Sequence, residues 1–171
     1  MLEKPAPRAA LPVDKQTFDS VEAFARFCDA FTRGVPHNVA LGVKMVDLFD
    51  DGVTMRLPYH PQLVGNPETG VLHGGAVTSL LDATCGAAVF ARLMKAIRIA
   101  TLDLRIDYLR PATPPQDVLA RATCYRLARQ VAFVRAVAYH DDTERPIASA
   151  ASTFMIFHGE SSVVANSLDK E

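Results

Sequence analysis

The stretch GVLHGGAVTSLLDATCGAAVFARLMK, residues 70–95, decides the fold. It contains no proline, and beyond His73 its apolar residues fall on nearly every side of a helical wheel. A helix that is apolar all round is enclosed by the rest of the protein. The spacing therefore predicts one long buried helix over residues 74–95. Its small residues Ala76, Ser79, Ala83, Gly86, Ala87 and Ala88 would let a wrapping sheet come close. The stretch is long enough to span a membrane, but His73, Asp82 and Arg92 within it argue against that reading.

On both sides of this helix the pattern is that of strands. Downstream, Leu102, Leu104, Ile106 and Tyr108 alternate with Thr101, Asp103, Arg105 and Asp107, a clean period of two. Pro111, Pro114 and Pro115 end that strand, and strand-like runs follow over about residues 118–127, 131–140 and 146–157. Upstream, runs over 43–49 and 53–57 are joined by Asp50-Asp51-Gly52, a hairpin signal. Residues 59–72, with Pro61, Gly65, Asn66, Pro67 and Gly70, read as a loop long enough to suggest a function. Ahead of the hairpin, Val21, Phe24, Phe27, Cys28 and Phe31 share one face of a helix over 19–33. Asp19 and Glu22 would form its capping box, and Gly34 and Pro36 would stop it. The whole is an α+β arrangement, a curved antiparallel sheet wrapped around one long helix.

Composition bounds the function. The chain has 171 residues, 49% of them apolar and 22% charged, which suits a single domain over residues 16–158. Residues 1–15 read as a flexible leader without the apolar core of a signal peptide, and 159–171 as a flexible tail. A formal net charge of −1, with the basic residues dispersed, offers no footprint for nucleic acid or anionic membrane. Cys28, Cys85 and Cys124 are isolated thiols, as expected of a reducing, cytoplasmic compartment. No histidine stands at metal-ligand spacing, and no phosphate loop, dinucleotide fingerprint or GxSxG is present. No metal or bound cofactor is expected.

Two features carry chemistry. His73-Gly74-Gly75 sits where loop becomes helix, and the first N–H groups of a helix lack intrahelical partners and favour negative charge. Such a place can stabilise an oxyanion; the glycines can equally serve a tight turn alone. Asp82 is a carboxylate on the central helix, costly there unless paired or hydrogen-bonded. It is either a reacting group, with Thr78 within reach one turn earlier, or a structural group facing Arg105. His73 and Asp82 are separated by roughly 13 Å along the axis and half a turn. One small substrate cannot meet both within one chain, so a shared site would combine two subunits.

The runs GVLHGGAVTSLLDATCGAAV and ATLDLRIDYLRPA resemble the PaaI-type thioesterases of the hotdog superfamily, over about residues 41–157. The resemblance implies a hotdog fold with an added N-terminal helix, and hydrolysis of an acyl-CoA or aryl-acyl-CoA by a homodimer or homotetramer. It puts the catalytic acid on Asp82, as general base or nucleophile, and the carbonyl-polarising N–H on Gly74. It puts the histidine that orders the loop and assists the carbonyl end on His73. Relatives often carry Asn or Gln six positions before that histidine; Pro67 stands there, and a one-residue loop shift gives the role to Asn66. A water-orienting serine of some relatives falls on Thr101, whose hydroxyl can do the same or cap the strand. Arg110, Arg126, Arg129 and Arg135 are either contacts for CoA phosphates or solvated surface groups. Other hotdog functions are an enoyl-CoA hydratase or dehydratase and a non-catalytic acyl-CoA-binding module. The first sets its histidine differently, and the second would normally lack the acid.

Overall fold

The computed structural model describes residues 16–17 and 20–158; the expected leader and tail lie outside the described residues. The chain runs through β1 (Gln16–Thr17), α1 (Val21–Gly34), α2 (Pro36–Leu41), β2 (Lys44–Phe49) and β3 (Gly52–Leu57). It continues through β4 (Val64–Asn66), β5 (Val71–Leu72), α3 (Gly74–Leu93) and β6 (Lys95–Ala96). It ends with β7 (Ile99–Tyr108), β8 (Val118–Leu127), β9 (Val131–Tyr139) and β10 (Ala148–Ile156). Six strands make one antiparallel sheet in the order β2-β3-β8-β9-β10-β7, which leaves β2 and β7 as edges. The sheet wraps α3, which is buried along most of its length. The expected arrangement is the one observed.

Close wrapping is achieved with small side chains on both partners. Ala87, Ala88 and Ala91 of α3 are buried, and so are Ala120, Ala122, Ala136, Ala138, Ala148 and Ala150 of the sheet. Bulk comes from Leu80, Leu81, Val89, Met55, Leu57 and Ile156, all fully buried. Each such side chain contributes about 1.5–3 kcal/mol on leaving water. One strip of α3 escapes the wrap: Gly75, Thr78, Ser79, Asp82 and Ala83, at helical spacing, are only partly covered. Asp82 is thus half-buried, where the sequence pattern suggested full enclosure.

The N-terminal segment departs from the reading in two ways. Ser20 caps α1, its side chain accepting from the Ala23 N–H, in the role expected of Asp19. The chain then begins a second short helix at Pro36 instead of stopping there. Proline suits the first helical position because the N–H it lacks would be unpaired anyway. Phe27 and Phe31 of α1 meet Phe90 of α3 edge-on, with ring centroids 5.5 and 5.4 Å apart. The expected long loop is itself folded: β4 and β5 pair back on each other, and Tyr59 donates to the Gly70 carbonyl at 3.0 Å. Gly70 closes that ribbon with φ +71°, a conformation in which side chains are strained.

The strict alternation read for β7 is broken by a bulge. Asp103 opposes Thr153 and Thr101 opposes Phe154, so Leu102 has no partner on β10. Directly opposed residues share a face, and Ser152, Phe154 and Ile156 of β10 are buried. The inner residues of β7 are therefore Leu104, Thr101 and Ile99, while Leu102 is turned out and 54% exposed. An extra residue of this kind reverses the facing of everything beyond it.

Candidate active site

The bulge has a chemical consequence. It turns Thr101 toward α3, where its hydroxyl donates to Asp82 Oδ1 at 3.0 Å. Asp82 and Thr101 open on a cleft of about 510 Å³ lined also by Thr78, Ser79, Ala83 and Leu104, and by Phe31, Val35, His37 and Asn38 from the N-terminal helices. The carboxylate keeps one oxygen clear of that bond and stands at the cleft wall, half-buried. Arg105 pairs with Asp107 at 3.1 Å instead of Asp82, so the structural pairing considered for Asp82 does not occur. Thr78 does not hold Asp82 either. Its hydroxyl lies 3.1 Å from the Gly74 carbonyl and 2.7 Å from the Tyr108 hydroxyl.

The other half of the chemistry gathers at the start of α3. His73 is the N-cap, and its Nδ1 accepts the Gly75 N–H at 2.9 Å. A neutral ring that accepts at Nδ1 carries its proton at Nε2, and that N–H faces outward on an exposed side chain. The Gly74 N–H, first of the helix, donates to no protein atom among the described residues. Tyr108 donates to the Gly74 carbonyl at 2.8 Å and so fixes this turn from the far end of β7. A Cβ at Gly75 would stand 2.9 Å from His73 Nδ1, so a side chain there would displace the imidazole from this cap. Gly74 lines a separate cleft of about 390 Å³, together with Val77, Tyr108 and Arg110 among others.

Asn66 is exposed and its side-chain oxygen accepts the Glu68 N–H at 2.9 Å, which serves the β4–β5 turn. Arg110 grips the carbonyls of Arg145 and Pro146. Arg135 lies on the outer face of the sheet, in a groove with Arg105 and Arg121. Cys85 sits one turn beyond Asp82, and burial, with the Asp82 charge adding to it, pushes its thiol far up, which makes it a poor nucleophile. Burial likewise pushes the Cys28 thiol up to about 12. Among the described residues no group of His, Cys, Asp and Glu is arranged to hold a metal ion. His140 is saturated by the Thr113 N–H and the Asp117 carbonyl. His37 is the residue that sequence reasoning missed: Nε2 lies 3.0 Å from Ser79 Oγ within the Asp82 cleft. Its only signal was Pro36, which starts the helix that carries it.

Comparison with known proteins gives this geometry a family. The family described as Thioesterase superfamily matches residues 69–147, from the turn before His73 to the edge of β10. The chain belongs to the thioesterase superfamily. This thioesterase is 29% identical over 141 residues to the medium/long-chain acyl-CoA thioesterase YigI of Escherichia coli, covering 75% of this chain and 90% of that one. A Pseudomonas aeruginosa protein of known crystal structure is 42% identical to this thioesterase, with a TM-score of 0.71 over 77% of this chain and 98% of that one. The Escherichia coli PaaI protein from the phenylacetic acid degradation operon shares its fold, with a TM-score of 0.70 over 82% and 98% of the two chains at 18% identity. The fold of this thioesterase is the hotdog fold.

Proposed function

We propose that this thioesterase hydrolyses acyl-CoA to a free acid and CoA, with Asp82 as the group that activates water. The observation that carries the reading is the Thr101–Asp82 hydrogen bond at the wall of an open cleft. In the proposed reaction Asp82 takes a proton from water as the water oxygen bonds to the thioester carbon. The oxyanion formed is held by the Gly74 N–H, with the His73 Nε2–H beside it. Its collapse breaks the C–S bond, and Asp82 returns the proton to the departing thiolate. The medium and long acyl chains in the name of YigI are carried over as the substrate class. The chemistry uses no metal or cofactor, and three buried free thiols support a reducing, cytoplasmic setting.

The site is assembled from two subunits. What supports this is that the Asp82 cleft and the Gly74 cleft are separate within one chain. The edge strand β7 links them: Thr101 near one end touches Asp82, and Tyr108 at the other end touches Gly74. Tyr108 is 52% exposed, as is Leu102 at 54%, on a strand with one edge unpaired. Such an edge is a template for another strand. Two copies of β7 running antiparallel about a twofold axis bring the Thr101 end of one beside the Tyr108 end of the other. Each Asp82 then meets the partner's helix N-terminus.

Asp82→Asn tests the reading. The amide is nearly isosteric but takes no proton from water, so turnover of acyl-CoA should fall about 100- to 10,000-fold while fold and assembly persist. Near-normal kcat in that variant would overturn the assignment.

A further inference from the structure

The cleft beside Asp82 has a wall that does not come from the matched residues 69–147. That wall is built by α1 and α2, through Phe31, Val35 and His37. Four contacts hold it in place. Phe31 stands edge-on to the buried Phe90 at 5.4 Å and stacks on Phe27 at 6.2 Å. His37 Nε2 meets Ser79 Oγ at 3.0 Å and so latches α2 to α3 one turn before Asp82. Since the Ser79 hydroxyl also donates to the Gly75 carbonyl at 2.9 Å, the histidine supplies the proton of the latch. Asn38, 5% exposed, anchors the far side of α2, its carbonyl accepting the Val43 N–H at 3.0 Å.

The cleft is mixed in chemistry: Phe31, Val35, Ala83 and Leu104 supply its apolar lining, beside Asp82 and Thr101 and the polar side chains of α2 and α3. Among the described residues no lysine or arginine lines it, so an acyl group ending in a carboxylate would find no counter-ion from them. The polar side chains beside the apolar lining are already engaged, His37 with Ser79, Thr78 with the Gly74 carbonyl and Tyr108, and Thr101 with Asp82, so the amides of the pantetheine arm would find few partners there. An uncharged hydrocarbon tail fits both conditions.

We infer that the N-terminal helix pair is the acyl-length gauge of this enzyme: the thioester tail lies against Phe31 and Val35, and these two side chains set the chain length accepted. The inference rests on the hydrolytic reading above and adds the residues that decide specificity. A wall held in this way discriminates because a tail one methylene too long must displace packed atoms and one too short leaves apolar surface bare. Phe31→Ala lengthens the space and Val35→Phe shortens it.

The test is kcat/KM over saturated acyl-CoA esters from butanoyl to hexadecanoyl, for the wild type and both variants in the full chain. Phe31→Ala should raise the ratio of long- to short-chain kcat/KM by roughly 10-fold or more, and Val35→Phe should lower it by a similar factor. The ratio is internal to each variant, so a uniform loss of active enzyme leaves it unmoved. Should Phe31→Ala fail to assemble, Val35→Phe carries the test alone. A profile unchanged in chain length, or KM shifts equal for every ester including acetyl-CoA, would overturn the inference, the latter by assigning the wall to the CoA arm. A wild type that hydrolyses none of these esters would instead overturn the functional reading itself.

Discussion

Thr101→Val exchanges a hydroxyl for a methyl of nearly the same size and leaves Asp82 Oδ1 without its donor. Hydrogen bonds to charged groups contribute about 1.5–3 kcal/mol. Steady-state turnover of an acyl-CoA should therefore drop roughly 10- to 100-fold in kcat. Thr101→Ser keeps the donor and should recover most of that loss, an outcome that a purely structural threonine would not produce. Asp82, Gly74 and His73 were legible as candidates because each residue type has little reason to stand where it does in a buried helix and its first turn. The partner of Asp82 was less so. From the residues alone Thr78 and Arg105 were as good, because one dimension of spacing does not say which strand crosses a helix. Only the family resemblance pointed to Thr101, and the alternation of β7 argued against it by setting Thr101 and Leu104 on opposite faces. His37 was beyond reach for the same reason: its contact with Ser79 spans 42 residues and leaves no local trace.

Elements were legible where their cause is local. The span of β8 is legible to the residue, and that of α3 to within two, because period and punctuation set them. The bulge at Leu102 was not, since nothing in the run Thr101–Tyr108 marks an extra residue; it exists because β10 pairs on both sides of it. The second helix was hidden because Pro36 can end one helix or begin another, and only the packing of Phe31 and His37 on α3 decides. The hairpin is tighter than the sequence suggests. Gly52 already pairs with Phe49, leaving Asp50 and Asp51 as the turn, and its Cα faces the Ala122 carbonyl of β8 and the Phe49 ring. A Cβ at that place collides with backbone, which cannot rotate aside. Gly52→Ala should cost about 1–3 kcal/mol of unfolding free energy in urea titration, with the m-value kept. A variant as stable as the wild type would show that β3 and β8 can part more easily than this close contact implies.

At the scale of the molecule, one chain holds two separate clefts, at Asp82 and at Gly74, and the edge strand β7 touches both. The decisive test is complementation between chains. In one chain Asp82→Asn removes the proposed base; in another Gly74→Pro removes the N–H proposed to hold the oxyanion, a loss typically of about 100- to 1,000-fold. Proline is well suited to that position as backbone. Gly74 is the first residue of α3, where proline is favoured, and His73 before it has φ −63° and ψ 133°, the conformation a following proline prefers. The remaining concern is room, since a Cβ at residue 74 lies 3.3 Å from the Tyr108 hydroxyl. Gly74→Ala shares that crowding and keeps the N–H, so it separates the two effects. Each variant homodimer should be nearly inactive, and the wild type should show no active monomer on sedimentation at micromolar concentration. In a mixed dimer one site combines the intact Asp82 with the intact Gly74, and the other combines both defects. Chains mixed at random in equal amounts put about half the dimers in the mixed state, so roughly a quarter of wild-type activity should return. Were both residues to serve one chain's own site, every mixed dimer would hold two broken sites and co-expression would restore nothing.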